Sequence, residues 1–162
     1  MKAISQLSPE ISRARHISVT NKNLCIGCAN CMLVCSLHHE GACSLSLARI
    51  YVAKDLFTGE YEPQPCAQCK NPRCLAACPV EGALYVDPAT GARKVNPELC
   101  TGCRACVEAC IYAAKSRSRV KFDPQRNIAL KCDLCGGDPQ CVRVCPEKIL
   151  VLAWPKQEQG EN

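Results

Sequence analysis

Sixteen of the seventeen cysteines fall into four groups of four. Cys25, Cys28, Cys31 and Cys35 form the first group, and Cys100, Cys103, Cys106 and Cys110 the third; both read C-x2-C-x2-C-x3-C. Cys66, Cys69, Cys74 and Cys78 form the second, and Cys132, Cys135, Cys141 and Cys145 the fourth. These two have a longer middle gap, a proline two residues before the third cysteine (Pro72, Pro139) and another directly after the fourth (Pro79, Pro146). Thiolate is a soft ligand that suits zinc or iron–sulfur clusters. Zinc is ordinarily held by two separated ligand pairs, whereas here four ligands crowd into 11 to 14 residues, four times over, so the spacing argues for clusters. Three thiolates of a C-x2-C-x2-C run wrap one corner-rich object, as a [4Fe–4S] cubane requires. The fourth cysteine lies one helical turn on, about 6 Å along the axis, far enough to serve a different cluster.

The elements that must position these thiols follow from the residues around them. Gly27 and Gly102 occupy the same place in the two short motifs, where glycine lets the backbone turn tightly and aim amides at sulfur. The third and fourth cysteines open a short helix in CMLVCSLHHE and CVEACIYAA, and the prolines stop or turn such helices elsewhere. Between motifs the pattern changes to short strands: 83–86 and 93–95 flank DPATG, and 119–122 and 127–130 flank DPQR, each pair reading as a hairpin. Segments 49–53 and 149–154 are further strand candidates. The order short, long, short, long is an internal repeat of about 70 residues, which predicts a duplicated two-motif unit. The divisions are an N-terminal arm at 1–19, halves at 20–96 and 97–155, and a tail at 156–162; residues 3–23 and the end KQEQGEN read as loose.

Cysteine makes up just over a tenth of the chain, which leaves disulfide, zinc and iron–sulfur scaffolds as classes. The opening MKAISQLSPEISRARHISVTNKNLC has no apolar signal core, Arg13 and Arg15 are not a twin-arginine pair, and no run is long enough to span a membrane. A reducing cytoplasm is therefore the expected location. One Trp and two Phe supply little apolar core for 162 residues, so clusters are expected to fill the interior. The net charge of +5 counts every thiol as neutral; four clusters with their thiolates would bring it to about −3. Lys115, Arg117, Arg119, Lys121 and Arg126 then read as a solvated face, a docking edge or compensation for cluster charge rather than as a nucleic-acid surface. The nine glycines form no G-x-G-x-x-G or phosphate loop, and H-E-x-x-H is absent. The chain thus carries no nucleotide or flavin fingerprint, is not read as an enzyme, and leaves the bond chemistry to another subunit.

From Cys25 to about Trp154 the chain resembles the polyferredoxin-type iron–sulfur subunits that accompany molybdenum and tungsten pterin oxidoreductases, hydrogenases and related complexes. The resemblance implies an α+β fold, a duplicated bacterial-ferredoxin-like arrangement of short helices and small β-hairpins around four [4Fe–4S] clusters. It implies that the first motif pairs with the fourth and the second with the third. One cluster then takes Cys25, Cys28, Cys31 and Cys145, and its neighbour takes Cys35, Cys132, Cys135 and Cys141. A third takes Cys66, Cys69, Cys74 and Cys110, and the last takes Cys78, Cys100, Cys103 and Cys106.

A narrower likeness is CSLHHEG followed by LARI, which is similar to the small iron–sulfur subunits beside tungsten aldehyde:ferredoxin-type oxidoreductases and tungsten benzoyl-CoA reductases. Respiratory relatives usually carry longer insertions and an export signal. The implied role is a single-electron conduit between a catalytic tungsten or molybdenum subunit and a flavin subunit, ferredoxin or another carrier, in either direction; ends that are both exposed would also let copies stack. A free polyferredoxin, an iron–sulfur subunit of a hydrogenase or formate dehydrogenase, and a cluster-based sensor are the rivals. Cys43 belongs to no quartet and reads as a spare thiol; His38 and His39 read as packing or hydrogen-bonding residues, and Trp154 as packing on a cluster wall.

Overall fold

The computed structural model describes residues 14–114 and 117–154. The tail 156–162, the first 13 residues of the arm and Lys115 lie outside them. In chain order the elements are β1 (His16–Val19), α1 (Asn30–Glu40), β2 (Tyr51–Lys54), β3 (Tyr61–Gln64), α2 (Arg73–Ala76), β4 (Leu84–Val86) and β5 (Arg93–Val95). They continue with α3 (Ala105–Glu108), β6 (Val120–Asp123), β7 (Ile128–Lys131), α4 (Gln140–Arg143) and β8 (Leu150–Ala153). The strands form antiparallel pairs β1–β8, β2–β3, β4–β5 and β6–β7. Among the described residues no helix is long and apolar enough to cross a membrane.

The hairpins form where turn chemistry predicts them. In DPATG, Asp87 accepts from Ala89 N and from Thr90 Oγ1, and Gly91 N donates back to Asp87 O at 2.7 Å with φ of 70°. That places Leu84 opposite Val95. The 119–122 and 127–130 hairpin lies one residue further on than its sequence pattern suggests. The helix beginning at Cys106 is shorter than expected: Cys110 N reaches back only three residues, to Val107 O, and Cys110 Sγ turns to accept from Arg119 N. By contrast α1 runs its full length and stops at Gly41, whose φ of 68° lets its amide close on Leu37 O.

The loose N-terminal arm is corrected. His16–Val19 is a strand whose register sets Ile17 against Leu152 and Val19 against Leu150. Asn21 then caps a 3-10 turn at Lys22–Leu24 through its side chain. The cause is burial, because Ile17 is 3 % exposed and sits in the larger core with Met32, Ile50, Leu134 and Leu150. The three single-turn helices are too short to persist alone; α1 packs on α4, and α2 on α3. Two cores result. The outer one joins the first and fourth motifs, and the inner one joins the second and third around Leu84, Val120 and Ala129. Each core therefore draws on both sequence repeats.

Candidate iron–sulfur centres

Three pockets are each lined by four cysteines. Cys25, Cys28, Cys31 and Cys145 line one, beside Val52, Ile149 and Leu150. Cys35, Cys132, Cys135 and Cys141 line a second. Cys66, Cys69, Cys74 and Cys110 line a third. Of the remaining four, Cys78, Cys100 and Cys106 pack in the inner core beside Cys74, and Cys103 lies within electrostatic reach of Cys106. Every group takes three cysteines from one motif and one from its partner motif. The helices bind neighbouring groups together, since α1 carries Cys31 and Cys35, and Cys106 in α3 precedes Cys110 by four residues. Cys28 and Cys103 are exposed.

The second residue after the first cysteine has a left-handed backbone in all four motifs: Gly27 at 67°, Gln68 at 47°, Gly102 at 69° and Leu134 at 60°. This turn folds successive amides inward around the space. At Gly27 a Cβ would lie 2.5 Å from the Tyr61 ring, and at Gly102 it would lie 2.3 Å from Asn127 O. The two long motifs carry the same turn on ordinary side chains. Burial holds them there: Leu134 is 1 % exposed, and Gln68, 3 % exposed, donates to Cys132 O at 2.8 Å while accepting from Arg93 N at 3.0 Å.

Donors converge on sulfur. Arg49 N reaches Cys35 Sγ at 3.2 Å, Arg119 N reaches Cys110 Sγ at 3.3 Å, and Ala129 N reaches Cys100 Sγ at 3.4 Å. Lys131 Nζ, almost wholly buried, donates to Cys66 Sγ at 3.0 Å. Burial would push its ammonium down, but the Cys66 and Cys74 thiols more than reverse this and it sits above the ordinary lysine value. Burial first, then the neighbouring Cys28, Cys25 and Cys145, pushes the Cys31 thiol up to about 12. Cys141 is likewise pushed up to about 12 by burial and then by Cys35, Cys135 and Cys31. In Cys35 burial acts upward, but hydrogen bonds from His39 and Arg49 bring the thiol below its usual value. Crowded thiols that resist ionisation one by one are suited to a polycation that neutralises them together. Sulfur-only donor sets, with N–H donors on Cys35, Cys66, Cys100 and Cys110, fit [4Fe–4S] clusters, to which such donors would supply hydrogen bonds that tune potential.

His39 joins this shell. Its Nε2 lies 2.8 Å from Asp133 Oδ1 and its Nδ1 2.7 Å from Cys35 O. Burial lowers its affinity for a proton, yet the Asp133 and Cys35 bonds raise it to about 9. His38 is exposed and meets His39 edge to face at 4.8 Å; these two rings and Cys135 bring their ligand atoms within 4.8 Å of one another. Cys43 is exposed. Trp154 does not pack on a cluster wall: it is 61 % exposed, with the Arg15 guanidinium 4.6 Å from its ring. Sequence reasoning passed over Gln68, Arg93 and Lys131, whose polar side chains look solvated until the fold buries them; only the position of Lys131 directly before Cys132 marked it.

Residues 57–154 match the family model of the 4Fe-4S dicluster domain. This protein belongs to that family. Membership carries [4Fe–4S] clusters and the expected α+β, ferredoxin-like fold, and the polyferredoxin-type resemblance is met. The protein "aliphatic sulfonate oxidoreductase, polyferredoxin-like subunit" of Pyrococcus furiosus is 41 % identical over 141 residues, covering 87 % of this chain and 77 % of that one. Protein NrfC of Escherichia coli K12 is 35 % identical over 155 residues, 88 % of this chain and 66 % of its own length. The B subunit of polysulfide reductase from Wolinella succinogenes is 34 % identical, with 83 % and 73 % covered. In three dimensions the chain is similar to the solved BamBC active-site complex of benzoyl-coenzyme A reductase, with a TM-score of 0.51 at 20 % identity over 92 % of this chain and 82 % of that one. At that identity the likeness concerns the fold.

Proposed function

We propose that the sixteen quartet cysteines hold four [4Fe–4S] clusters in one row, and that the chain carries single electrons along it as a subunit of a cytoplasmic oxidoreductase complex. The order is Cys25, Cys28, Cys31 and Cys145; then Cys35, Cys132, Cys135 and Cys141; then Cys66, Cys69, Cys74 and Cys110; then Cys78, Cys100, Cys103 and Cys106. One observation supports this order above others. Cys31 and Cys35 stand one turn apart on α1 and line adjacent spaces, so neighbouring clusters share a helix and lie within a short electron step. Exposed Cys28 and Cys103 mark the two ends as entry and exit. The sequence repeats 20–96 and 97–155 are the duplicated units whose motifs interleave to build the row.

The catalytic partner is a tungsten or molybdenum pterin subunit of the aldehyde oxidoreductase type, and a flavin subunit or ferredoxin serves the other end. The CSLHHEG and LARI segments support that choice, and 41 % identity to a polyferredoxin-like oxidoreductase subunit supports the role in a complex. Catalysis lies on the partner. An anaerobic pull-down of the natively expressed protein with metal analysis tests this. Iron near sixteen per chain, together with tungsten or molybdenum in a co-eluting large subunit, is the expected result, at about four irons per cubane. Iron on a solitary chain would make it a diffusing polyferredoxin.

A further inference from the structure

The three cysteine-lined spaces differ in charge. The one at Cys25, Cys28, Cys31 and Cys145 meets Glu147 and no cation among its lining residues. The one at Cys35, Cys132, Cys135 and Cys141 meets Arg49, His39 and Asp133, and these are paired: Arg49 with Glu40 at 2.9 Å, and Asp133 with His39 at 2.8 Å. The one at Cys66, Cys69, Cys74 and Cys110 meets four cations, Arg73, Arg93, Arg119 and Lys131, and no carboxylate. Two of these are buried to a degree cations seldom reach, Arg93 at 0 % and Lys131 at 4 % exposed. Arg93 lies within electrostatic reach of Cys66, Cys69 and Cys74. Lys131 Nζ has two acceptors, Cys66 Sγ at 3.0 Å and Gln68 Oε1 at 3.4 Å. The fourth group has Ala129 N on Cys100 and an exposed Cys103. A cation held at hydrogen-bond distance in a dry interior favours added negative charge much more than a solvated one does, because little dielectric lies between them.

We propose that the centre held by Cys66, Cys69, Cys74 and Cys110 has the highest reduction potential of the four, that the buried Lys131 ammonium sets it there, and that the first electron to enter the chain rests on it. This builds on the four-centre reading above. The electron comes from a low-potential one-electron donor and takes the centre with its thiolates from about 2− to about 3−. No bond forms or breaks: the donor loses one electron and the centre gains it. The resting position is the third of four, so an electron entering at either end runs downhill to the interior, and the chain keeps one in reserve.

The test is an anaerobic dithionite titration of the natively expressed holoprotein followed by low-temperature EPR, in the wild type, Lys131→Met and Lys131→Arg, with iron counted in each. In Lys131→Met the first signal to appear loses at least about tenfold in electron affinity, about 59 mV for a one-electron couple, and the other three keep their midpoints. Lys131→Arg, which retains the charge, leaves the first midpoint in place. An unmoved first signal in Lys131→Met at full iron content overturns the proposal, as does a shift confined to a later signal. If Lys131→Met sheds a centre and iron drops to about twelve, loss of the first-reduced signal supports the proposal and loss of a later one overturns it. Wild-type iron far from sixteen strikes the four-centre reading instead, whatever the Lys131 variants do.

Discussion

His39 Nε2 lies 2.8 Å from Asp133 Oδ1, joining two residues 94 positions apart in the chain. The contact fastens the last turn of α1 to the loop of the fourth motif, where the same Asp133 oxygen caps Cys135 N at 2.9 Å. Cutting it leaves a largely buried carboxylate short of a partner, which costs about 1–3 kcal/mol. His39→Leu should therefore lower the urea concentration at which visible cluster absorbance is lost under anaerobic conditions. An unchanged midpoint would mean the contact contributes nothing to holding the outer core together.

Gly102 and Gly41 have nearly the same φ, 69° and 68°, but different surroundings. A Cβ at Gly102 would lie 2.3 Å from Asn127 O, while at Gly41 nothing stands within 4 Å. Gly41→Ala should cost only the left-handed strain, about 1–2 kcal/mol, and keep its iron. Gly102→Ala must move the backbone of the third motif, and its iron should fall by about four atoms per chain, one cubane. Equal iron in both variants would remove the close packing of the Cys103 loop as a requirement for cluster binding.

Cys43 is exposed, outside the quartets. Iodoacetamide should modify one thiol in the native holoprotein, at Cys43, and all seventeen after denaturation with chelator. Mass spectrometry reads both numbers. Modification of any quartet cysteine in the native protein, Cys28 and Cys103 included, would show that residue to be free. Cys43→Ser should leave the iron content and the spectrum untouched.

Ile17→Ala removes buried methyl groups from the core between β1 and α1 and should cost about 2–5 kcal/mol. Iron release on heating checks this, with Leu56→Ala, 85 % exposed in the wild type, as the comparison that should be near neutral. A silent Ile17→Ala would return His16–Val19 to the status of a loose arm.

The quartets were legible because ligand spacing is a local property: Cys25 to Cys35 and Cys100 to Cys110 repeat it residue for residue. The 84–86 and 93–95 hairpin was legible through DPATG, whose Asp and Gly make the turn by themselves. His16–Val19 was not, because only Ile17 and Val19 mark it and its partner strand lies at Leu150–Ala153, at the far end of the chain. The left-handed turns at Gln68 and Leu134 were equally hidden, since neither residue type favours φ above zero and both are held by tertiary burial. The charge placed on the Cys66 group was beyond reach for a related reason. Lys131 lies just past the 127–130 strand pattern, and nothing in the sequence says that its ammonium turns inward to sulfur.

The nesting of the first motif with the fourth, around the second with the third, imposes an order on biosynthesis. All eight inner cysteines have left the ribosome with Cys110, and the hairpin that backs them is complete at Lys131. The outer eight wait for Cys145, and the strand that seals them to His16–Val19 ends at Ala153. Under the proposed pairing, the inner eight thiols would be complete first, while Cys25, Cys28, Cys31 and Cys35, synthesised earliest, would wait longest for their partner cysteines.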